Sequence, residues 1–387
     1  MRILKRRGLL ALLFVVLATV LAGCMPRGTG ARAGWTVLTA NDGRIYAVLA
    51  TGEALALDAE SGEVAWRYPL QPPAAPVGCG LPRQAEPEVG EAPLGAVYGR
   101  VTVLENEVLI GSFDGNLYAL DRETGRLSWM YPVSEGVVGG ATVFEGVAYF
   151  GAADHNVYAL DLETLEMAWD APFPTQERIW GAPAVNEERV YIGSMDQSVY
   201  ALDRQTGEQI WSLSIGAAIP GDVMVVNGMV LVGGVDSRLH VVDADTGELL
   251  WQTERLDGWI WGQPLVVDDN VYFGSLNGTV YGYGLETQQR LWSPISVLGS
   301  LRAGPTLYDG QAAVGTNEGR VYLIDLEAGQ AELLYGGPAA EQRGALLSAP
   351  VVVDNLIYVG SATGSVVALD PTMRIPELWV YPPAEDN

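Results

Sequence analysis

The sequence has little lysine, cysteine or histidine. Its 387 residues include one lysine, Lys5, together with two cysteines and two histidines. Without a lysine beyond Lys5, the rest of the chain can form neither a phosphate-binding P-loop nor a lysine Schiff base. The nucleophile pattern G-x-S-x-G and the zinc pattern H-E-x-x-H are also missing. These absences remove several common kinds of catalytic chemistry.

Positive charge is scarce as well. The chain has 22 basic residues against 47 acidic ones, a formal charge of −25. Residues 1–23 contain four of the bases and no acid, so the remaining chain has 18 bases against 47 acids, or −29. A surface of this sign repels phosphate backbones, which argues against nucleic acid as a partner.

The N-terminus has the pattern of an export signal. Residues 1–7 are basic, residues 8–21 are almost wholly apolar, and the segment ends in Leu21-Ala22-Gly23-Cys24. The apolar run is short for a transmembrane helix. The four-residue ending resembles the bacterial lipobox, in which the cysteine is lipidated. We therefore expect a signal peptide at 1–23 and a flexible tether at 24–34 that starts at lipidated Cys24. The alternative is a secretory signal without a lipid.

The lipobox resemblance also implies where the protein is found. The residue after Cys24 is Met25, where many lipoproteins retained at the inner membrane have aspartate. We expect the periplasmic side of the outer membrane if the host has one, and otherwise the outer surface of the cytoplasmic membrane. With Cys24 acylated, Cys79 has no cysteine partner, which excludes an internal disulfide.

One sequence pattern recurs eight times. In Leu109–Trp129, short apolar runs alternate with turns at Asp114-Gly115 and Thr124-Gly125. Aligned positions are Asp58, Asp121, Asp161, Asp203, Asp243, Gly284, Asp325 and Asp370. Most successive copies start 40–42 residues apart. A period near forty with four short strands per unit is typical of a β-propeller. We predict an all-β fold, one eight-bladed propeller at 35–381, with an inter-blade insertion at 71–96 and a tail at 382–387. A solenoid is the alternative.

Three residues of each repeat have structural roles. Asp121 can accept hydrogen bonds from the following turn, Gly125 can take a positive φ there, and Trp129 can fill the gap between blades. The fourth copy repeats this set as Asp203, Gly207 and Trp211. We therefore interpret most of the 11 tryptophans as structural.

The repeat resembles that of the pyrroloquinoline-quinone (PQQ) enzymes. The carrying residues are Tyr191-Ile192-Gly193-Ser194, Val199–Asp203, Thr206-Gly207-Glu208 and Trp211. Among such proteins, a single-propeller lipoprotein is similar to the BamB family of the outer-membrane β-barrel assembly machinery. That resemblance implies a monomeric, non-enzymatic scaffold for envelope proteins, with barrel-assembly components as candidate partners.

The quinoprotein enzymes of this superfamily imply different chemistry. They resemble one another in a vicinal cysteine pair and a calcium held by acidic and amide side chains. This chain has no Cys-Cys dipeptide and no clustered pattern of oxygen ligands. We therefore expect no PQQ, no other cofactor and no metal. A ligand-binding or quinone-dependent oxidoreductase propeller is the alternative function.

The candidate interaction site lies between the repeats. In a propeller, the turns between second and third strands share one face with the links between blades, and we call it the link face. Its candidate residues are Trp180, Trp259, Trp261, Arg302, Asp154 and His155. Aromatic and arginine side chains within an acidic rim are typical of protein-binding surfaces. An alternative remains open, in which Trp180 and Trp261 plug the central channel.

The two histidines have structural explanations. His240 aligns with tyrosines of the other repeats, including Tyr118, Tyr158 and Tyr200, and is expected to replace a packed tyrosine. His155 lies in an Asp-His-Asn turn and is expected to be solvated there.

Overall fold

The computed structural model describes residues 34–69, 92–337 and 343–382. These residues form eight four-stranded antiparallel sheets, each built from four consecutive strands. The first four blades contain β1 (Val37–Asn41), β2 (Arg44–Val48), β3 (Ala54–Asp58), β4 (Val64–Tyr68), β5 (Thr102–Val103), β6 (Glu107–Ser112), β7 (Asn116–Asp121), β8 (Leu127–Pro132), β9 (Val137–Phe144), β10 (Val147–Ala152), β11 (Asn156–Asp161), β12 (Phe173–Pro174), β13 (Ala184–Val185), β14 (Arg189–Gly193), β15 (Ser198–Asp203) and β16 (Gln209–Ser214).

The last four blades follow the same order. They contain β17 (Met224–Val226), β18 (Met229–Gly233), β19 (Leu239–Asp243), β20 (Leu249–Gln252), β21 (Leu265–Val267), β22 (Asn270–Gly274), β23 (Thr279–Gly284), β24 (Ile295–Ser296), β25 (Thr306–Tyr308), β26 (Gln311–Gly315), β27 (Val321–Asp325), β28 (Gln330–Tyr335), β29 (Val351–Val353), β30 (Leu356–Gly360), β31 (Val366–Leu369) and β32 (Glu377–Tyr381). The predicted eight-bladed propeller with four antiparallel strands per blade is confirmed.

In seven of the eight blades, the turn after the third strand is closed by the repeat aspartate, and the sixth blade has Gly284 there. In the fourth blade, Oδ1 of Asp203 accepts hydrogen bonds from the amides of Gln205 at 2.9 Å and Thr206 at 2.8 Å. The Gly207 amide then donates to the Asp203 carbonyl at 2.9 Å, and Gly207 has a φ of 75°. Glycine takes this left-handed conformation without steric cost, so the D-x-x-T-G sequence specifies the turn.

Tryptophans in the fourth strands, or just before them in the chain, pack against the turn of the next blade. Trp169 is 3% exposed, lies against Gly207, and donates its indole hydrogen to the Arg204 carbonyl at 2.9 Å. The same hydrogen bond is made by Trp66, Trp211, Trp292 and Trp379. One tryptophan therefore fills the gap between two blades and binds the turn that bounds it.

Blades three and six depart from this arrangement. At the turn position where five of the other six blades have glycine, they have Leu165 and Gln288, both with positive φ. The tryptophans facing these turns lack the usual bond. Trp129 donates to the Glu107 carboxylate at 3.0 Å, and the indole nitrogen of Trp251 is buried without a partner in the described structure. In these two blades, a side chain at the turn position is therefore accompanied by a facing indole that does not donate to the turn carbonyl.

Side-chain packing closes the ring. Each hydrophobic cluster joins two neighbouring blades, and the cluster around Ile45 and Leu57 of the first blade includes Tyr358 and Tyr381 of the last. Trp379 also donates to the Ala59 carbonyl at 3.1 Å. Because the first and last sheets are each made of consecutive strands, the described ends meet without exchanging a strand.

Several predicted segments fall outside the described residues. These are the signal peptide, the tether apart from Gly34, lipidated Cys24, Cys79, residues 71–91 of the insertion and residues 383–387 of the tail. The end of the insertion is described, and Leu94 is buried there with its amide donating to the Gly52 carbonyl at 2.9 Å. In the described ranges, no helix has the length and apolar character needed to cross a membrane.

Candidate functional site

The first strand of each blade lines the central channel. Threonine hydroxyls join neighbouring first strands, as in the bonds from Thr39 to the Val101 carbonyl and from Thr102 to the Ala141 carbonyl, both 2.6 Å. These bonds fix which residues are equivalent in the eight blades. The channel-mouth ring consists of the residue four positions before the threonine, or before the residue aligned with it in the four blades that lack the threonine. Its members are Trp35, Tyr98, Val138, Trp180, Pro220, Trp261, Arg302 and Leu347. All its members line one cavity of about 660 Å³.

Glycines allow the strands beneath this ring to approach one another closely. The residue after the ring position is glycine in five consecutive blades, from Gly99 to Gly262. A Cβ on Gly181 would overlap the Gly221 carbonyl, and a Cβ on Gly221 would overlap the Trp261 carbonyl. Larger residues would push the inner strands apart, so the glycines keep the channel mouth narrow.

Arg302 lies between two tryptophans of the ring. Its guanidinium carbon is 4.3 Å from the Trp35 ring centroid and 4.2 Å from the Trp261 ring centroid. The Trp180 and Trp261 centroids are 6.0 Å apart. On the other side, Trp35 meets Tyr98 edge to face at 5.1 Å. The guanidinium carbon therefore lies over the faces of two π systems, which attract the cation.

The contacts continue from Tyr98 to Phe113 in the turn between β6 and β7, with centroids 5.8 Å apart. We call this continuous series the aromatic arc, made of Trp180, Trp261, Arg302, Trp35, Tyr98 and Phe113. Phe113 is an exposed hydrophobic residue, and it also lines the cavity. The arc therefore joins the channel mouth to the link face.

The charge of Arg302 is unbalanced within the described part of the chain. Its Nε is buried without a hydrogen-bond partner, and no described carboxylate forms an ion pair with it. Burial lowers the pKa of this guanidinium below its ordinary value. An arginine still titrates far above neutral pH, so the mouth holds a partly desolvated positive charge.

Deeper polar residues of the cavity are already engaged. Arg100 donates to the Thr142 hydroxyl at 2.7 Å, and Gln263 donates to the Val223 carbonyl at 3.2 Å. The carboxylate of Asp222 accepts the Ala182 amide at 2.7 Å. Burial raises the pKa of Asp222, and the charge of Arg100 opposes that rise.

The structure brings together three of the residues that the sequence predicts for the site. Trp180, Trp261 and Arg302 belong to the channel-mouth ring, and they narrow the mouth while leaving the cavity open. Trp259 is 47% exposed, and its carbonyl accepts the Leu276 amide at 2.9 Å in the adjoining turn. It therefore lies on the link face, outside the cavity lining.

The predicted pair in the third blade has a structural role. Asp154 accepts the Ser134 amide at 3.2 Å and the Tyr158 hydroxyl at 2.7 Å, which ties the link to the turn. His155 has a φ of 71°, and its carbonyl accepts the Thr175 amide at 2.7 Å. Both residues lie on the link face, and neither lines the cavity.

His240 occupies the position that tyrosines hold in other blades. It is 1% exposed, and its Nε2 lies 3.1 Å from Asp236, as the Tyr200 hydroxyl lies 2.8 Å from Asp196. The other ring nitrogen is buried without a partner among the described residues. Burial lowers the pKa of His240, and Asp236 opposes this shift.

Sequence reasoning missed half of the aromatic arc. Trp35, Tyr98 and Phe113 carry no repeat signature, and Trp35 follows directly on the predicted tether. A signal was nevertheless present, because Trp35 stands four residues before Thr39 as Tyr98 stands four before Thr102. Aligning the repeats on their first strands would have placed both residues in the ring with Trp180 and Trp261.

The cavity does not fit the quinoprotein cofactor site. Among the described residues, no group of three or more histidine, cysteine, aspartate or glutamate side chains could hold a metal ion. Among the described residues that line the cavity, Asp222 is the one carboxylate, and it accepts a hydrogen bond from the Ala182 amide. The acid and amide ligands that calcium requires are not assembled here.

Solved structures share the fold. The computationally designed Ika8 protein is 19% identical with a TM-score of 0.71, and the match covers 88% of this chain and 97% of that one. BamB from Moraxella catarrhalis is 21% identical with a TM-score of 0.66, and here the match covers 86% of this chain and 94% of that one. At these identities the likeness shows a BamB-like propeller fold.

Comparison with curated proteins found no match. A family model described as "Beta-alanine-activating enzyme, beta-propeller" matches residues 98–370, which is more than half of the chain. This chain therefore belongs to the β-propeller family that carries that description.

Proposed function

We propose that this protein is an interaction scaffold of the bacterial cell envelope, held at the membrane by lipidated Cys24 and docking a protein partner on the link face. The observation that carries the proposal is the aromatic arc, which presents Phe113 and the tryptophans of the channel mouth on one side of a rigid ring. Large aromatic residues and arginine dominate binding energy at protein interfaces. The surrounding acidic turns favour a partner with a basic contact surface.

Anchoring gives such a scaffold its effect. Several acyl chains on one residue hold a protein durably on a membrane, so the docking face stays at a high local concentration. Replacing Cys24 with serine should release the protein into the soluble fraction of lysed cells. Equal membrane retention of the Cys24→Ser variant would contradict the anchor while leaving the docking face untouched.

The specific partner we propose is a component of the β-barrel assembly machinery. The support is the BamB-like fold together with the lipobox resemblance. Cross-linked pull-down from native membranes tests it. The intact protein should retain barrel-assembly components, and a Phe113→Ala, Trp259→Ala double variant should retain less of them. Control substitutions at exposed Ile210 and Leu250, in the fourth strands β16 and β20, should leave retention unchanged. No barrel-assembly component in any arm would refute this assignment.

The cavity favours a second candidate, a ligand-binding propeller. A volume of about 660 Å³ with a mainly apolar lining lies within the range of small-molecule sites. Titrating PQQ and calcium while following tryptophan fluorescence tests the quinone form of this alternative. Saturable quenching would support it, and an unchanged signal would count against it.

A further inference from the structure

The channel mouth has the features of a site for a single carboxylate. The guanidinium carbon of Arg302 lies over the ring faces of Trp35 and Trp261. The N–H donors lie along the planar edge of the guanidinium, and Nε there is buried without a partner among the described residues. An acceptor must therefore lie in the plane of the guanidinium, and a carboxylate matches that edge with two parallel hydrogen bonds.

The charge at this position calls for an anion. A partly desolvated cation without a counter-charge is costly, and no carboxylate of the described chain pairs with Arg302. A cationic ligand would meet repulsion from Arg302 and from Arg100. The aromatic faces nearest the centre are also already in contact with the guanidinium, so they cannot act as a cage for a second cation.

The rim and the lining limit what the anion can be. Acidic turn residues surround the mouth on the link face, including Asp114, Asp154, Asp196 and Asp236, so each added negative charge on a ligand is repelled. Around the guanidinium the cavity is mainly apolar, with Val37, Leu265 and Leu307 in its lining. A ligand with one negative charge and an apolar body matches both conditions.

We propose that the channel-mouth ring binds the carboxylate of an apolar monocarboxylate through the edge of Arg302, with the apolar body in the cavity below. Two sources share this chemistry, a free organic acid and the C-terminal residue of an apolar peptide. The proposal goes beyond the scaffold function, since a protein partner docked on the link face through Phe113 and Trp259 would not need the Arg302 edge.

Binding of matched acids and amides to the full-length protein in lipid nanodiscs tests the proposal. The probes are 3-phenylpropanoate and its amide, and the peptide N-acetyl-Gly-Gly-Phe with a free or an amidated C-terminus. Calorimetry gives affinity, and quenching of tryptophan fluorescence reports occupation of the mouth. At least one acid should bind saturably, and its amide should bind at least about tenfold more weakly, because the charge-assisted bonds are lost.

Variants locate the site. Arg302→Gln should weaken binding of the acid at least about tenfold and leave binding of the amide unchanged. Arg302→Lys keeps the charge but loses the planar fork, so its affinity should fall between the two. Arg290→Gln is the matched control, because Arg290 also lies over aromatic rings, Tyr281 and Tyr283, but outside the cavity. Its affinity should equal that of the unmodified protein. Circular dichroism should show that each variant is folded.

Each outcome decides something. Binding of the free acid alone assigns a small organic acid, and binding of the peptide acid alone assigns a protein C-terminus. Equal affinity for acid and amide, full binding by a folded Arg302→Gln variant, or binding of neither acid would overturn the proposal. None of these outcomes changes the result expected from the cross-linked pull-down with the Phe113 and Trp259 variant, so each proposal can fail without the other.

Discussion

The contact between a turn glycine and the indole of the preceding blade gives a quantitative prediction. In Gly207→Ala, the new Cβ would lie 2.5 Å from Cδ2 of Trp169 and 2.8 Å from its Cε3. These atoms belong to a buried ring, so Trp169 must shift and lose its hydrogen bond to the Arg204 carbonyl. Alanine must also adopt the positive φ of Gly207.

The magnitude follows from a matched glycine. Gly228 has a φ of 73°, close to the 75° of Gly207, and a Cβ there would meet nothing within 4 Å. Gly228→Ala should therefore lose only the left-handed conformational term, about 1–2 kcal/mol. Gly207→Ala should lose the same amount plus about 1–3 kcal/mol for overpacking and the displaced indole.

Denaturant unfolding of the two variants measures this difference as the shift in free energy of unfolding. The excess loss in Gly207→Ala should shrink in a Trp169→Leu background, since blade seven has Leu333 at the tryptophan position. Equal losses in Gly207→Ala and Gly228→Ala would refute the reasoning. They would show that the conformation of the turn, rather than indole packing, sets the cost of substitution.

Three further predictions concern acid stability and the division between blade packing and channel mouth. Hydrogen bonds from the following turn, as from Thr206, lower the pKa of repeat aspartates such as Asp203. The ionised aspartates therefore stabilise the fold above pH ~4, and this stabilisation is lost as the pH falls further. In acid unfolding, Asp203→Asn should make the loss of unfolding free energy shallower. Burial lowers the pKa of His240, so the neutral imidazole contributes fully to stability above pH ~6.5, and this contribution decreases below that pH. His240→Tyr should remove this part of the pH dependence of the unfolding free energy. Trp169→Ala should cost about 3–5 kcal/mol of unfolding free energy, and Trp180→Ala about 0.5–1.5 kcal/mol, because Trp169 is buried between blades while Trp180 is half-buried at the mouth against Trp261.

Much of the fold could be predicted because each repeat contains the residues that determine its own turns and its packing against the next blade. The aspartate at the end of the third strand, the glycine of the next turn and the tryptophan eight residues on each impose one constraint. Together they fix the strand count and the order within a blade. Ring closure could not be predicted from these residues. It depends on contacts such as Tyr358 against the first blade, and local patterns carry no information about pairs separated by about 300 residues in sequence.

The candidate site could be predicted only in part. The sequence predicts Trp180, Trp261 and Arg302 in the links between blades, and the structure places them together in the ring. Asp154 and His155 were also predicted on the link face, but their observed roles are structural. Asp154 joins the link to the turn by a hydrogen bond, and His155 has a left-handed turn conformation. The contact between Arg302 and Trp35 joins the seventh blade to the first, and only the closed ring brings these two residues together.

Residue variation around the channel mouth has a physical origin in the geometry of the propeller. A position between blades is constrained by a neighbour on each side, so tryptophan and its turn glycine recur, and where the glycine is lost the indole loses its carbonyl partner. A position facing the channel opens onto the cavity on one side, and the eight equivalent residues of the ring include three tryptophans, a tyrosine, an arginine and three aliphatic or proline residues. Stability therefore leaves this ring free to vary, while the glycines beside it keep its members close. A propeller can thus change what it recognises at the mouth without changing how its blades pack.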